Sequence, residues 1–199
     1  MKRKYRISII MILLSISLYI IYRMIITSNP NPNFYVGQKL DSLNGVYIYY
    51  NGGVGHTGKR NLSEDGYNIG LTYQCVEFAK RYYYQYYKHR MPDAYGNAKD
   101  FFDVTIKDGK LNTKRDLLQF TNPSLSIPYL GDLIIFDGYA GNKYGHVAIV
   151  SDVKENEIEI IQQNPGPFAS TRVKYSLLIT EGKYFINHER ILGWLRMKQ

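Results

Sequence analysis

A single cysteine, Cys75, is the first candidate for chemistry in the 199-residue sequence. Gly70 and Thr72, a helix breaker and a possible cap, precede it. Apolar and aromatic residues then recur at helical spacing: Val76, Ala79, Tyr83 and Tyr86. A thiol in the first turn of a helix faces unpaired N–H groups and the positive end of the dipole, and both favour the nucleophilic thiolate. Because a lone cysteine can equally be a small buried apolar residue, the assignment depends on finding a base.

His146 is the candidate base, since a thiol nucleophile needs a base and a third group that orients it. It opens a strong predicted strand, after a glycine that allows another backbone to approach closely. A tight connection at 154–157 joins this strand to the next, which places His146 opposite residues near 164. Gln162 and Asn164 share a parity, so both are expected on one face of the sheet. A histidine with a carboxamide, beside a helix that bears a cysteine, matches the Cys-His-Asn arrangement of papain-like enzymes. Singly, His146 is as well explained as a core histidine and Asn164 as a turn former.

Several sequence blocks resemble the CHAP domain family of cysteine- and histidine-dependent amidohydrolases and peptidases. The blocks are Tyr73–Arg81, Gly131–Phe136, Gly145–Val150, Gln162–Asn164 and Ile191–Trp194. Within the family they are most similar to the amidase domain of glutathionylspermidine synthetase/amidase, which shares Q-C-V-E-F-A and the closing I-L-G-W. Most other relatives cut amide bonds of peptidoglycan.

The resemblance implies that Cys75 is the nucleophile and His146 the base. It also implies that Gln74, with the Cys75 backbone N–H, stabilises the oxyanion. The family usually has glutamate where this chain has Gln162, and a neutral amide stabilises an imidazolium less. Gln162 or Asn164 is therefore the orienting residue, or the activity is lowered.

Hydrophobic periodicity predicts the elements that position these residues. The cysteine helix is expected to end near Lys88–Pro92, and a shorter helix is predicted over Ala94–Val104. Strands are predicted at Val46–Tyr50, Gly131–Phe136, His146–Val153, Glu157–Asn164 and Ile191–Leu195, and Leu111–Ser126 is ambiguous. Helices first and strands after favour an α+β fold with an antiparallel sheet. With the resemblance, this predicts a papain-like fold in which the cysteine helix packs on the sheet.

An apolar segment precedes the domain. Four basic residues among the first six are followed by an uncharged run, Ile7–Tyr22, which continues past Arg23 to Ile26. This length suits a transmembrane helix, the basic flank favours a cytoplasmic N-terminus, and residues 26–29 match a signal-peptidase site poorly. We expect residues 1–26 to be a signal anchor, with a cleaved signal peptide and a secreted domain as the alternative. Residues 27–33 are predicted to be a linker and residues 34–199 the catalytic domain.

Composition argues against other functions. The net charge is +8, but from residue 27 onward 20 basic residues face 17 acidic ones, so we expect no nucleic-acid partner. Asn51–Arg60 nearly matches the phosphate-loop motif G-x-x-x-x-G-K-S/T. However, Arg60 occupies the position of the Mg²⁺-binding Ser or Thr, and no helix is predicted after it. One cysteine and no H-E-x-x-H motif predict no metal and no cofactor. The sequence does not indicate an oligomeric state.

The leading interpretation is a membrane-anchored, extracytoplasmic cysteine amidase or endopeptidase whose substrate is peptidoglycan. One alternative is the hydrolysis of glutathionylspermidine or a related small amide. Another is a catalytically weak module that binds the cell wall or a partner, and Gln162 in place of glutamate keeps that alternative open.

Overall fold

The computed structural model describes residues 2–198, which form two α-helices and twelve β-strands. The helices are Lys2–Thr27 (α1) and Cys75–Tyr86 (α2). The strands are Lys39–Leu43 (β1), Val46–Tyr49 (β2), Arg60–Leu62 (β3), Asn68–Leu71 (β4), Lys110–Asn112 (β5), Leu117–Thr121 (β6), Leu133–Phe136 (β7), His146–Val153 (β8), Glu157–Ile161 (β9), Arg172–Thr180 (β10), Lys183–Ile186 (β11) and Ile191–Arg196 (β12).

Eight strands form one antiparallel sheet in the order β11-β10-β9-β8-β7-β12-β6-β5. Two antiparallel pairs, β1–β2 and β3–β4, lie outside it. The predicted α+β class with an antiparallel sheet is therefore confirmed.

The large sheet is curled, and its central strand β7 is buried on both faces. Ser124, which follows β6, exchanges two backbone hydrogen bonds with Tyr184 of β11 (3.0 and 2.8 Å), so one edge of the sheet reaches back toward the other. Alternate residues of β7 then enter two cores: Leu133 and Ile135 face the core that contains α2, and Ile134 and Phe136 face the second core around Trp194. Burial on both faces explains why β7 is a continuous apolar run instead of an alternating one.

Helix α2 packs on the sheet through one apolar stripe. Phe78, Ala79, Tyr82 and Tyr83 are at most 1% exposed, and the helix contacts β2, β4 and β8. It ends at Tyr86 because Lys88 adopts a left-handed backbone (φ 57°), and the His89 N–H then caps the Tyr83 carbonyl at 3.0 Å.

Helix α2 ends at Tyr86 with its C-cap at Tyr87, next to the Lys88–Pro92 segment where its end was predicted. Two other sequence predictions about these elements were wrong. Ala94–Val104 contains one 3₁₀ turn, Lys99–Phe101, where a helix was predicted. Strand β9 ends at Ile161, not Asn164, whose φ of 57° takes it out of the strand conformation. The side-chain parity that joined Gln162 and Asn164 therefore does not hold.

Helix α1 is apolar, and its side chains from Lys4 to Ile25 are exposed. Lys4–Thr27 has a mean hydropathy of 2.4 over its most apolar window and none of that window is buried, so this helix is long and apolar enough to cross a membrane. A signal sequence would pass the same test. The segment predicted as a linker, 27–33, is folded against the domain: Asn31 is 5% exposed, and its side-chain amide donates to Pro167 O at 2.8 Å.

Candidate active site

Cys75 is the first residue of α2, as its spacing predicted. Gln74 is the N-cap in an extended conformation, without a capping side-chain hydrogen bond, so the first turn keeps free N–H groups. Thr72, predicted as a possible cap, instead donates its hydroxyl to Lys59 O. The half-buried Cys75 side chain packs against the core that α2 shares with the sheet.

His146 begins β8, the strand on which α2 packs. Gly145 before it has φ +72°, and a Cβ there would lie 2.4 Å from the Phe136 carbonyl oxygen, so only glycine fits. The close approach predicted for this glycine is confirmed. The centroid of the His146 imidazole lies 5.8 Å from the centroid of the Phe136 ring. The backbone N–H of Val147, at the start of β8, lies near Cys75 and favours ionisation of its thiol, although burial raises the pKa overall.

Gln162 fixes the tautomer of the His146 imidazole. Its side-chain N–H₂ donates to the Ser170 carbonyl at 3.1 Å, and a carbonyl can only accept. The Gln162 Oε1 atom must therefore face His146, and it lies 2.9 Å from Nε2. Because an amide oxygen also only accepts, Nε2 carries the proton and Nδ1 of the neutral ring keeps the lone pair. The structure thus brings Gln162 to His146 and leaves the lone pair of the ring on Nδ1.

The Asn164 side chain contacts Gln74 instead of His146. Its side-chain amide donates to Gln74 Oε1 at 2.9 Å and to Val54 O at 3.3 Å, and none of its hydrogen bonds within residues 2–198 reaches His146. Gln74 in turn donates from Nε2 to His56 O at 2.6 Å. Since Nε2 has two hydrogens, one remains for a ligand. Of the two orienting amides proposed from the sequence, Gln162 contacts the imidazole and Asn164 contacts Gln74.

Burial keeps the site neutral at rest. Desolvation lowers the pKa of His146 to about 4, a shift that the hydrogen bond to Gln162 opposes and the positive charge of Arg190 increases. Desolvation also raises the pKa of Cys75, although the backbone N–H groups of Val147 and Val76 favour its thiolate. The helix terminus argued from the sequence is therefore outweighed by burial, and the resting pair is thiol plus imidazole.

The sequence did not reveal a buried polar cluster behind the cysteine. Glu77 accepts hydrogen bonds from Arg81 Nε (2.7 Å) and Asn61 Nδ2 (2.9 Å). Gln163 donates from Nε2 to Glu77 Oε2 (2.9 Å) and to Gln74 O (3.0 Å), and its Oε1 accepts from the Tyr49 N–H at 2.8 Å. The cluster ties the start of α2 to the end of β9. Glu77 and Arg81 are four residues apart on α2, but Asn61 and Gln163 lie far from them in the sequence, so no local pattern indicated the whole cluster.

The remaining histidines lie outside this arrangement. His89 Nε2 contacts Arg115 O at 2.9 Å, and the His188 ring packs edge-on against Phe136 and Tyr175. His56 contributes its backbone carbonyl. Across residues 2–198, no group of three or more His, Cys, Asp or Glu side chains is placed to hold a metal ion.

Comparison with known proteins found matching families and relatives. The CHAP domain family matches residues 65–164, half of the chain. The chain is 31% identical over 147 residues to the bifunctional glutathionylspermidine synthetase/amidase of Escherichia coli (strain K12), covering 68% of this chain and 23% of that protein. It is 28% identical over 108 residues to the trypanothione synthetase of Crithidia fasciculata, covering 54% and 16%. The chain therefore spans less than a quarter of the length of these curated relatives.

Solved structures gave weaker matches. The crystal structure of Ly7917 has a TM-score of 0.28 and 26% identity, covering 38% of this chain and 30% of that one. The structure of Ly7917 with the hydrolyzing product of MDP has a TM-score of 0.40 and 20% identity, covering 63% and 54%. TM-scores this low carry no argument about the site.

Proposed function

The chain belongs to the CHAP domain family, and from that premise we propose that it is a membrane-anchored, extracytoplasmic cysteine amidase or endopeptidase that hydrolyses an amide bond of peptidoglycan. The observation that carries the proposal is the hydrogen bond between Gln162 Oε1 and His146 Nε2, because it leaves Nδ1 free to accept the proton of the Cys75 thiol. The arrangement of helix, sheet and amide is the basis for proposing a papain-like fold.

In the proposed first step, the Cys75 proton passes to His146 Nδ1 as the sulfur attacks the substrate carbonyl carbon. The carbonyl oxygen becomes negative, and the free Nε2 hydrogen of Gln74 and the Cys75 backbone N–H stabilise it. The imidazolium then gives its proton to the leaving amine, the C–N bond breaks, and an acyl thioester remains on Cys75.

In the second step, a water molecule gives a proton to His146 Nδ1 and attacks the thioester. The carboxylic acid product leaves as its C–S bond breaks, and the sulfur regains the proton. Gln162 holds the ring in one tautomer through both steps, but as a neutral amide it stabilises the imidazolium less than a carboxylate would. We therefore expect turnover that depends strongly on this hydrogen bond.

Placement of the domain outside the cytoplasm rests on the apolar helix and on the basic residues before it. At about 1.5 Å per residue, Lys4–Thr27 is about 36 Å long, enough to cross the roughly 30 Å hydrocarbon core. We propose residues 1–26 as an uncleaved anchor, 27–33 as the connecting segment and 34–199 as the catalytic domain. A cleaved signal peptide would give a secreted enzyme instead.

A second candidate substrate is glutathionylspermidine or a related small amide. It is favoured by the 31% identity to a protein whose name includes glutathionylspermidine amidase. The proposed export argues against it, because glutathionylspermidine is a cytosolic compound and an exported domain would not meet it.

The test uses the full-length chain in nanodiscs, with Cys75→Ala as the matched variant. The wild-type chain should release new amine or carboxyl termini from peptidoglycan and be slower on glutathionylspermidine, and Cys75→Ala should be inactive on both. A reporter fused after residue 199 should be active only if it functions outside the cytoplasm. Turnover of the small amide with an untouched cell wall would reverse the substrate ranking. Retained turnover in Cys75→Ala, or none in the wild type, would contradict the enzymatic proposal.

A further inference from the structure

The glycine-rich loop, residues 51–59, lies between the end of α1 and the candidate active site. The backbone N–H of Gly55 donates to the Ile26 carbonyl at 2.9 Å. This carbonyl belongs to the last turn of α1 and has no helical partner of its own. The loop thus caps the helix, although the sequence gave it no role once a phosphate site was rejected.

Two glycines make this contact possible. A Cβ at Gly53 would lie 2.4 Å from Ile26 O and 2.5 Å from Ser28 O, and a Cβ at Gly55 would lie 3.1 Å from Ile26 Cδ1. Side chains at these positions would push the loop away from the helix. Ile26 is accordingly half-buried, whereas its neighbour Ile25 is 63% exposed.

Asn51 makes the loop a single unit. It is 2% exposed, and its side-chain amide donates to Gly53 O at 3.0 Å and to His56 O at 3.1 Å. The position that contacts α1 and the position that contacts the site are therefore braced by one buried side chain. A displacement of Gly53 is transmitted to His56.

The other side of the glycine-rich loop contacts Gln74, the residue proposed to stabilise the oxyanion, and its neighbour Asn164. His56 O accepts the Gln74 Nε2 hydrogen bond at 2.6 Å, and Val54 O accepts from Asn164 Nδ2 at 3.3 Å. Asn164 Nδ2 also donates to Gln74 Oε1 at 2.9 Å. Both ends of the Gln74 amide thus depend on the loop, one directly and the other through Asn164.

We infer that the end of the membrane helix is a positioning element of the active site: Ile26 and Ser28 seat the glycine-rich loop, and the loop orients the Gln74 amide. The inference rests on the proposed role of Gln74 and deepens it. The anchor is then more than a tether, and cleavage after α1 would remove the partner of Gly55. Gly53, Gly55 and Ile26 act through Gln74, so they are positioning residues.

The main test is Gly53→Ala in the full-length chain in nanodiscs, read out by amide turnover and by alkylation of Cys75 with iodoacetamide. Turnover needs the oxyanion donor and alkylation does not. We expect kcat to fall about 10-fold, within the range that the loss of one oxyanion donor can produce. Alkylation should stay within about 2-fold of wild type, since it uses only the thiol and the imidazole. An unchanged kcat, or an equal fall in both rates, would overturn the inference.

A second arm does not depend on turnover, so failure of the proposed function leaves it readable. Ile26→Ala removes the side chain that packs on Gly55, and Ile25→Ala makes the same apolar-to-small change at the exposed neighbour. Amide hydrogen exchange across 51–59 and 73–75 should rise at least 3-fold in Ile26→Ala and stay at the wild-type rate in Ile25→Ala. Equal exchange in the two variants would overturn the inference.

Discussion

Gln162 and Gln163 are consecutive and both are buried, but their side chains belong to two differently built polar clusters. Gln163 joins Glu77 and Arg81, a carboxylate and a guanidinium that form a buried ion pair at 2.7 Å. Gln162 joins His146, whose hydrogen-bond partner is this neutral amide. One cluster contains an ion pair. The other is neutral at rest.

Two consecutive residues after β9 therefore contact clusters with different roles: we expect one to fix the structure and the other to take part in the chemistry. A buried ion pair that is fully hydrogen-bonded fixes geometry, and breaking it typically costs about 3–5 kcal/mol. In the site cluster, burial lowers the pKa of His146 and raises that of Cys75. In the proposed mechanism, charge therefore forms there only after the proton has moved from sulfur to nitrogen. The first cluster should matter for stability and the second for rate.

The largest effect is expected from Gln163→Ala, which would leave the Tyr49 N–H without its hydrogen-bond partner, whereas Gln74 O keeps its hydrogen bond from the Phe78 N–H. One unsatisfied buried group costs about 1–3 kcal/mol, and we expect a loss of that size. The unfolding midpoint of the full-length chain should fall by roughly 2–12 °C. Gln85→Ala, at an exposed glutamine, is the matched control. A midpoint within 1 °C of that control would break the comparison.

Gln162→Ala should lower the catalytic rate more than it lowers the stability. It removes the acceptor that holds His146 in the tautomer that the proposed mechanism requires. We therefore expect kcat to fall about 10-fold, with a smaller shift of the unfolding midpoint than Gln163→Ala gives. Asn164→Ala, which removes an amide that contacts Gln74 instead of His146, should reduce kcat less. The comparison is sharpened if Gln162→Ala mainly lowers kcat and Gln163→Ala mainly lowers the unfolding midpoint. It fails if Asn164→Ala is the more damaging change.

The placement of the two candidate catalytic residues was predictable because its signals are local. Cys75 lies at the predicted loop-to-helix transition and His146 at the head of the predicted strand, and β8 has the bounds that its pattern predicted. Their catalytic roles were inferred from the family resemblance and stay predictions. The sheet class followed from the run of strands late in the sequence.

The choice between Gln162 and Asn164 was not predictable, because it depends on where β9 stops. The strand ends at Ile161 and Asn164 has a positive φ, and neither fact is visible in a parity argument. The helix predicted over Ala94–Val104 failed for a related reason. Buried Arg115 donates to the carbonyls of Asp93, Tyr95 and Asp100, and this distant side chain holds the segment in an irregular path. Tertiary hydrogen bonds outweighed local propensity in both places.

The resting charge state was also beyond the sequence. The position of Cys75 at a helix N-terminus favoured the thiolate. Only the packed structure shows that desolvation of the thiol is the larger effect and raises its pKa. Burial depends on the whole fold, so motif spacing alone does not determine it.

The pH dependence of kcat/KM in the wild type and in Gln162→Glu tests the central claim most directly. A histidine base must be neutral, and the pKa of His146 is lowered to about 4, so activity should persist as the pH falls and be lost only as it passes through about 4. A carboxylate at 162 would favour the imidazolium, which raises the pKa of His146, and the acid limb should move upward by at least one pH unit. A wild-type limb near 6.5, or identical limbs in the two proteins, would contradict a neutral Cys75–His146 pair held by Gln162.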